Sequence, residues 1–307
     1  MLAFVLFLAF LGMGFDAFYV GAGGGSVPIG TLAALGVGSV SALASYFNGD
    51  RAVLAATAAR PVDEVEASAP DADKLKLRQL ENIVDEMAIA SGLPRPRVYI
   101  VPDPDPNAFA TGRGPDRSSI AVTRGLLDVL DREELQGVVA HEMSHIRNLD
   151  IRVMTVVAAL VGAIALLSDW ARRGMTWGGG SRRRNNGGSG GGSVLAIVFF
   201  VIWLVAIILA PFMAQMLAMM VSRRREYLAD ASGAELTRNP LGLARALEKI
   251  EGAVAPTVTM KRGSAHLCIA DPLGRQMNIR EGSWSDLFAS HPPMAARIAA
   301  LKAMAFQ

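Results

Sequence analysis

Long apolar runs alternate with polar blocks along this chain. Four runs stand out, residues 2–15, 29–47, 153–168 and 194–221. The first lacks the basic leading region and processing site of a signal peptide, and a Gly-rich turn joins it to the second. The pair therefore reads as a transmembrane hairpin, with Asp16 expected at an interface because a charge at the bilayer centre is costly. The third run has 16 residues. It covers about 24 Å, short of the roughly 30 Å hydrocarbon core, unless Arg152 and Trp170 extend it by anchoring at the interfaces. The fourth is long enough to cross. Between these two lies a Gly-, Ser- and Arg-rich connector, residues 171–193, with five arginines. If all four runs span, the polar blocks share one side and the basic connector falls on the other, against the positive-inside rule. A shallow or re-entrant third-and-fourth hairpin removes that conflict and keeps both blocks on one side.

The polar blocks carry shorter periodicities. Residues 71–91 place Leu77, Leu80, Val84 and Met87 at helical spacing and end beside Gly92. Residues 97–101 read as a strand; 107–112 and 118–122 read as two more, separated by a Gly-Pro-Asp turn. Residues 131–150 read as a helix that runs on toward the third apolar stretch, 222–236 as another, and 294–304 as a terminal one. The expected fold is α+β, a mainly helical domain with a small β-sheet and about four membrane-embedded helices. The expected division is an N-terminal hairpin (1–50), a first polar part (51–152), a membrane hairpin with its connector (153–221) and a second polar part (222–307).

Composition agrees with a chain partly dissolved in lipid: 51% of residues are hydrophobic, 19% are charged, and the mean hydropathy is +0.33. A net charge of +2 gives no argument for nucleic acid. One cysteine, Cys268, excludes an internal disulfide framework and a Cys-rich zinc module, and suits a reducing compartment.

The stretch VVAHEMSHIRNLD, residues 138–150, carries two of the four histidines. His141 and His145 lie four apart, so a helix directs both imidazoles to one ion. Catalytic zinc takes three protein ligands and keeps one position open, and Glu142 stands beside the first ligand to take a proton from water and pass it to a leaving amine. A solvated surface helix is the plain alternative, but the apolar LQGVVA leading into the pair argues for shielding. For a third ligand, Glu226 and Asp230 lie four apart in SRRREYLAD. One carboxylate can bind the metal while the other orients a ligand imidazole. An ordinary network with Arg223, Arg224 and Arg225 fits the spacing equally well.

Together, HEMSH followed by IRNLD and an apolar run, then SRRREYLAD and SHPPMAARIAAL, resemble the M48 family of membrane zinc metalloproteases, in particular its bacterial and archaeal heat-shock members. PNAFATGRGP, AVTRGLL and AHLCIADPL are similar to that group as well, so the likeness runs from about residue 60 to residue 297. It implies one Zn2+ ion held by His141, His145 and Glu226, Glu142 as general base, and Asp230 as partner of a zinc-binding histidine. It implies that Asn107, Ala108, Phe109 and Ala110 form an edge strand gripping substrate main chain by β-augmentation. It also implies a multi-pass protein of the plasma membrane, its catalytic domain facing the cytoplasm, that cuts misfolded membrane proteins in a stress response. His291, stiffened by Pro292 and Pro293, is placed either to stabilise an oxyanion or to cap the terminal helix. Arg297 either pairs with a carboxylate near the zinc or lies on a polar helix face.

Three other classes fit less well. An intramembrane protease would put HEMSH in an apolar span, yet polar residues flank it on both sides. A chaperone with a structural zinc has no use for Glu142. A channel needs polar residues lined up in its spans, and the fourth run offers almost none.

Overall fold

The computed structural model describes residues 5, 6, 8–10, 12, 13, 16, 27–157, 223–253, 259, 267–270 and 292–306. The chain divides into two units, residues 1–46 with 160–216 and residues 47–159 with 217–307. Most of the first apolar run, the third beyond residue 157, the connector and the fourth run lie outside the described residues.

Helix α1 (Ile29–Ala56) carries the second apolar run and continues past it. Among the described residues it is the one helix long and apolar enough to cross a membrane. Leu32, Val37, Val40, Leu43 and Phe47 are exposed along it. Asp16 is buried. It accepts hydrogen bonds from the Gly30 N–H (2.5 Å), the Thr31 N–H (2.7 Å) and the Thr31 hydroxyl (2.6 Å). Capping the first turn of α1 accounts for an acid within an apolar run.

The second unit is mostly helical around a small mixed sheet. Strands β1 (Arg60–Pro61), β2 (Arg97–Val101), β3 (Ala108–Gly112) and β4 (Ser118–Thr123) lie in the order β1-β2-β4-β3. The β2–β4 pair is parallel and the outer pairs are antiparallel, which leaves β3 at an edge. Three of these strands are legible in the sequence. The two-residue β1 shows no periodicity and exists only through its pairing with Tyr99 and Ile100.

Around the sheet lie α2 (Val62–Ser68), α3 (Asp71–Ser91), α4 (Arg124–Val129), α5 (Arg132–Arg147), α6 (Arg223–Thr237), α7 (Pro240–Glu251) and α8 (Met294–Met304). Helix α3 buries Leu77, Leu80, Val84 and Met87, the positions its spacing predicts. It stops at Gly92, whose φ of 67° is the left-handed conformation that glycine adopts without strain. Helix α5 starts at a capping box in which Asp131 accepts from the Glu134 N–H and Glu134 accepts from the Asp131 N–H, an arrangement worth about 1 kcal/mol.

Helix α5 sits at the centre of the core, and two glycines let its neighbours approach. A Cβ on Gly137 would come within 2.8 Å of the Leu243 nitrogen of α7. A Cβ on Gly233 of α6 would come within 3.0 Å of the His141 nitrogen. Gly233 continues the face that carries Glu226 and Asp230, so the side of α6 that docks on α5 also carries its carboxylates.

One expected element differs. Residues 131–150 do not form one helix: α5 ends at Arg147, and helix resumes at Asp150 and is described to residue 157. Between them Leu149 has a φ of 60°. This conformation costs a non-glycine residue about 1–2 kcal/mol, and the break it makes turns Asp150 back toward α5.

Candidate metal centre

His141 and His145 project from neighbouring turns of α5, with their Nε2 atoms 3.2 Å apart. Glu226, in the first turn of α6, brings Oε1 to 3.5 Å from His145 Nε2 and Oε2 to 3.9 Å from His141 Nε2. One ligand atom from each of these buried side chains lies within 4.8 Å of the others. A tetrahedral zinc with bonds of 2.0–2.1 Å has ligand-to-ligand edges of about 3.3 Å, so the three donors are spaced as a zinc site requires. Two imidazoles and one carboxylate also match the donor preference of that ion.

The outer nitrogen of each imidazole faces a carboxylate, and each carboxylate faces an arginine. His141 Nδ1 is 2.9 Å from Asp230 Oδ1. Asp230 accepts from Arg297 Nε at 2.8 Å and from Arg297 Nη2 at 2.7 Å. On the other side, His145 Nδ1 is 3.1 Å from Asp150 Oδ2, and Asp150 Oδ1 accepts from Arg225 Nη1. Both pairs orient Nε2 toward the metal position, because an imidazole that donates from one nitrogen presents a lone pair on the other.

The two arrangements differ in exposure. Arg297 is fully buried, whereas the Arg225 side chain is 43% exposed. A buried guanidinium is tolerable only with its charge and donors matched; Asp230 does this in bidentate geometry, and Glu226 Oε2 stands 3.6 Å away.

Burial raises the pKa of Glu142 to about 7, because the positive neighbours His145 and Arg297 and the Ala110 N–H only partly offset the loss of water and the charge of Glu226. Its Oε1 is buried and without a hydrogen-bond partner among the described residues. A buried carboxylate oxygen in that condition beside a metal-ligand set is suited to handling a proton. Burial opposes charge on both histidines. At His141 it wins and the pKa falls. At His145 the hydrogen bond to Asp150 and the charges of Glu226, Glu142 and Asp150 outweigh it, raising the pKa to about 9 before metal binds. Burial also acts to raise the pKa of Asp230, but Arg297 and His141 overcome it and hold the group at about 2. The Arg297 guanidinium is held protonated by Asp230 against its own burial.

His141, His145, Glu142, Glu226, Asp230 and Arg297 are thus brought together, although α5, α6 and α8 are far apart in sequence. His291 lies outside the described residues. Asn107, Ala108, Phe109 and Ala110 fall at the start of the edge strand β3, where Ala110 donates its N–H to Glu142. Asp150 and Arg225 are absent from the expected site. Asp150 stands five residues after His145, off the shared face of a continuous helix, and only the break at Leu149 makes the contact. Arg225 was legible only as one of three consecutive arginines.

The sequence profile of peptidase family M48 matches residues 74–305, which include every residue of this cluster. The chain belongs to peptidase family M48. A protease HtpX homolog of Caldanaerobacter subterraneus subsp. tengcongensis is 46% identical to this M48 chain over 233 residues, 76% of the chain and 74% of the relative. One of Streptococcus thermophilus is 43% identical over 304 residues, 99% of the chain and 95% of the relative. The solved structure of S. mikatae Ste24p aligns with 72% of the chain and 49% of its own length, at a TM-score of 0.41 and 20% identity. As a member of M48 the chain is a metallopeptidase, with a His-His-Glu group spaced to hold the metal.

Proposed function

We propose that this chain is a membrane-bound zinc endopeptidase in which His141, His145 and Glu226 hold one Zn2+ ion and Glu142 is the general base. The observation that carries the reading is the buried Glu142 carboxylate, whose Oε1 has no partner among the described residues, beside three donors that lie within 4.8 Å of one another. Zinc in that site supplies Lewis acidity toward a peptide carbonyl and lowers the pKa of water. Glu142 accepts the proton of the attacking water and delivers it to the departing amine nitrogen. Asp230 and Asp150 keep the two imidazoles in the tautomer that presents Nε2 to the metal, and Arg297 keeps Asp230 ionised.

Substrate main chain lies along the outer edge of β3, where recognition through N–H and C=O groups is indifferent to most side chains. Such loose preference suits misfolded membrane proteins as substrates. Helix α1 is apolar enough to anchor the chain in a bilayer. The protein is assigned to the plasma membrane as a multi-pass chain with its catalytic unit in the cytoplasm, a compartment in which the thiol of Cys268 stays reduced. The similarity to protease HtpX homologs over nearly the whole chain supports this assignment.

The test compares the full chain with its Glu142→Gln form in mild detergent, measuring zinc content and cleavage of an unfolded membrane protein. Both forms are expected to hold one zinc, with cleavage reduced about 10²-fold or more in Glu142→Gln. Equal cleavage by the two forms would remove Glu142 from the mechanism.

A further inference from the structure

The free edge of β3 already has an occupant. Because the Thr123 N–H bonds to the Asn107 carbonyl at 2.9 Å, alternation along the antiparallel pair turns the main-chain groups of Ala108, Ala110 and Gly112 outward. The Ala108 carbonyl accepts the Ile269 N–H at 2.9 Å. The Asn107 side chain donates Nδ2 to the Ala270 carbonyl at 2.9 Å and accepts the Ala270 N–H on Oδ1 at 3.4 Å. The Ile269 carbonyl accepts from Arg297 Nη1 at 2.8 Å. The N–H and C=O groups of two consecutive residues are therefore all held, by groups blind to which side chain follows. The segment is a bend rather than a strand, and it meets β3 main chain through the Ile269 N–H. Arg297 meanwhile keeps its bidentate grip on Asp230, the partner of His141, so the occupant touches the metal centre's own supports.

Among the described residues the outward N–H groups of the edge are also taken. The Ala110 N–H goes to Glu142, and the Gly112 N–H goes to Thr155 Oγ1 at 3.0 Å. The Ala108 N–H goes to the Asn107 side chain at 3.1 Å. A polypeptide can be held by β3, Asn107 and Arg297 together only where Ile269 and Ala270 now lie. The side chain of Ile269 is buried in the main core cluster. Its departure leaves an apolar space that only a similar side chain fills without loss.

We propose that residues 267–270 are an internal occupant of the polypeptide site: substrate main chain displaces Ile269 and Ala270 from Asn107, Ala108 and Arg297, and an aliphatic substrate side chain takes the place of Ile269. This rests on the reading of the chain as a peptidase with substrate on the β3 edge. It adds that the resting site is closed by the chain itself, and that one subsite prefers aliphatic residues although the grip is on main chain. A site open for only a fraction of the time binds with its affinity reduced by that fraction, so loosening the occupant tightens substrate binding.

Three measurements decide it. Truncating Ile269→Ala removes buried methyl groups and weakens the occupant's hold, so KM for an unfolded polypeptide is expected to fall roughly tenfold. Sequenced cleavage products are expected to show Ile, Leu, Val or Met enriched at one fixed position from the cut. An unchanged or raised KM in a folded, zinc-loaded Ile269→Ala chain overturns the proposal, because a fixed wall behaves that way. The third measurement keeps the segment intact and needs no catalysis. In the Glu142→Gln chain, hydrogen exchange at the Ile269 and Ala270 amides is expected to accelerate when unfolded polypeptide binds, while the β4 amides stay protected. Continued protection of Ile269 with polypeptide bound, or no binding by the Ile269→Ala chain at all, overturns it. If polypeptide binds and displaces the segment but no form cuts it, the peptidase reading fails and the occupant stands.

Discussion

His145 Nδ1 lies 3.1 Å from Asp150 Oδ2, across a break in the helix that Leu149 makes with a φ of 60°. A strained leucine is thus held where it places a carboxylate on a proposed metal ligand, and Arg225, one residue before Glu226, closes the link from α5 to α6. Replacing Asp150 with Asn keeps the shape and removes the charge. Zinc affinity is expected to fall about 10- to 100-fold in Asp150→Asn, with a similar loss in Arg225→Ala and partial recovery in Arg225→Lys. Zinc dissociation into a chelator reads this directly. A purely structural pair would lower the melting temperature of the metal-free and zinc-loaded forms alike, whereas a metal-positioning pair reduces the increment that zinc adds.

Gly233 is a contact between helices rather than a turn. A methyl group there meets the His141 nitrogen at 3.0 Å and its Cα at 3.2 Å, both backbone atoms in a buried helix. Gly233→Ala gains about 1 kcal/mol of helix propensity and loses about 1–3 kcal/mol to overpacking, so overpacking prevails. Lower denaturant midpoints and weaker zinc binding are expected together, because moving α6 also moves Glu226. A Gly233→Ala chain with full zinc affinity would show that α6 does not need this closeness.

Arg297 is buried against Asp230 and near Glu226. Removing it by Arg297→Met leaves buried carboxylates uncompensated, which costs about 3–5 kcal/mol. The ordinary value for Asp230 is 3.8 and its folded value is about 2. Its stabilisation is therefore complete above about pH 4 and is lost as pH falls through about 2. In Arg297→Met the acid transition is expected to move to higher pH, as followed by circular dichroism. No shift of that transition would separate Asp230 from the stability of the fold.

His145 holds a proton up to about pH 9 before metal binds, against an ordinary value of 6.5. Its contribution to stability in the metal-free chain is complete below about pH 6.5 and disappears as pH rises through about 9. Zinc must displace that proton, so apparent zinc affinity is expected to rise with pH across this interval, with proton release on binding. Calorimetry in two buffers of different ionisation enthalpy counts the protons. Binding without proton release would contradict the charge assigned to His145.

The base role proposed for Glu142 requires its ionised form, and burial places its pKa at about 7 in the metal-free site. A bound cation pulls that value down. The acid limb of kcat/KM is therefore expected at or below pH 7, with activity rising as pH increases through it. A rate that climbs as the solution is acidified below that point would assign the proton-accepting role to another group.

Much of this protein follows from local rules that a linear pattern obeys. The apolar positions of α3 and its stop at Gly92, the strands β2, β3 and β4, and the placing of His141, Glu142 and His145 on one helix each depend on contacts within a few residues. The pairing of Glu226 with Asp230 was visible as spacing, but a solvated network with the adjacent arginines had the same spacing. Burial sets the two readings apart: Gly233 lets α6 close on α5, and both carboxylates lie buried beside the histidines rather than in a solvated network. The three remaining features had no local signature, because each is a contact between distant segments. Strand β1 exists only through its neighbour, Asp150 reaches His145 only because Leu149 leaves the helix, and Ile269 meets Ala108 only because the chain returns to an edge it left more than a hundred residues earlier. Periodicity determines which face a residue occupies, while the tertiary structure alone decides what that face meets.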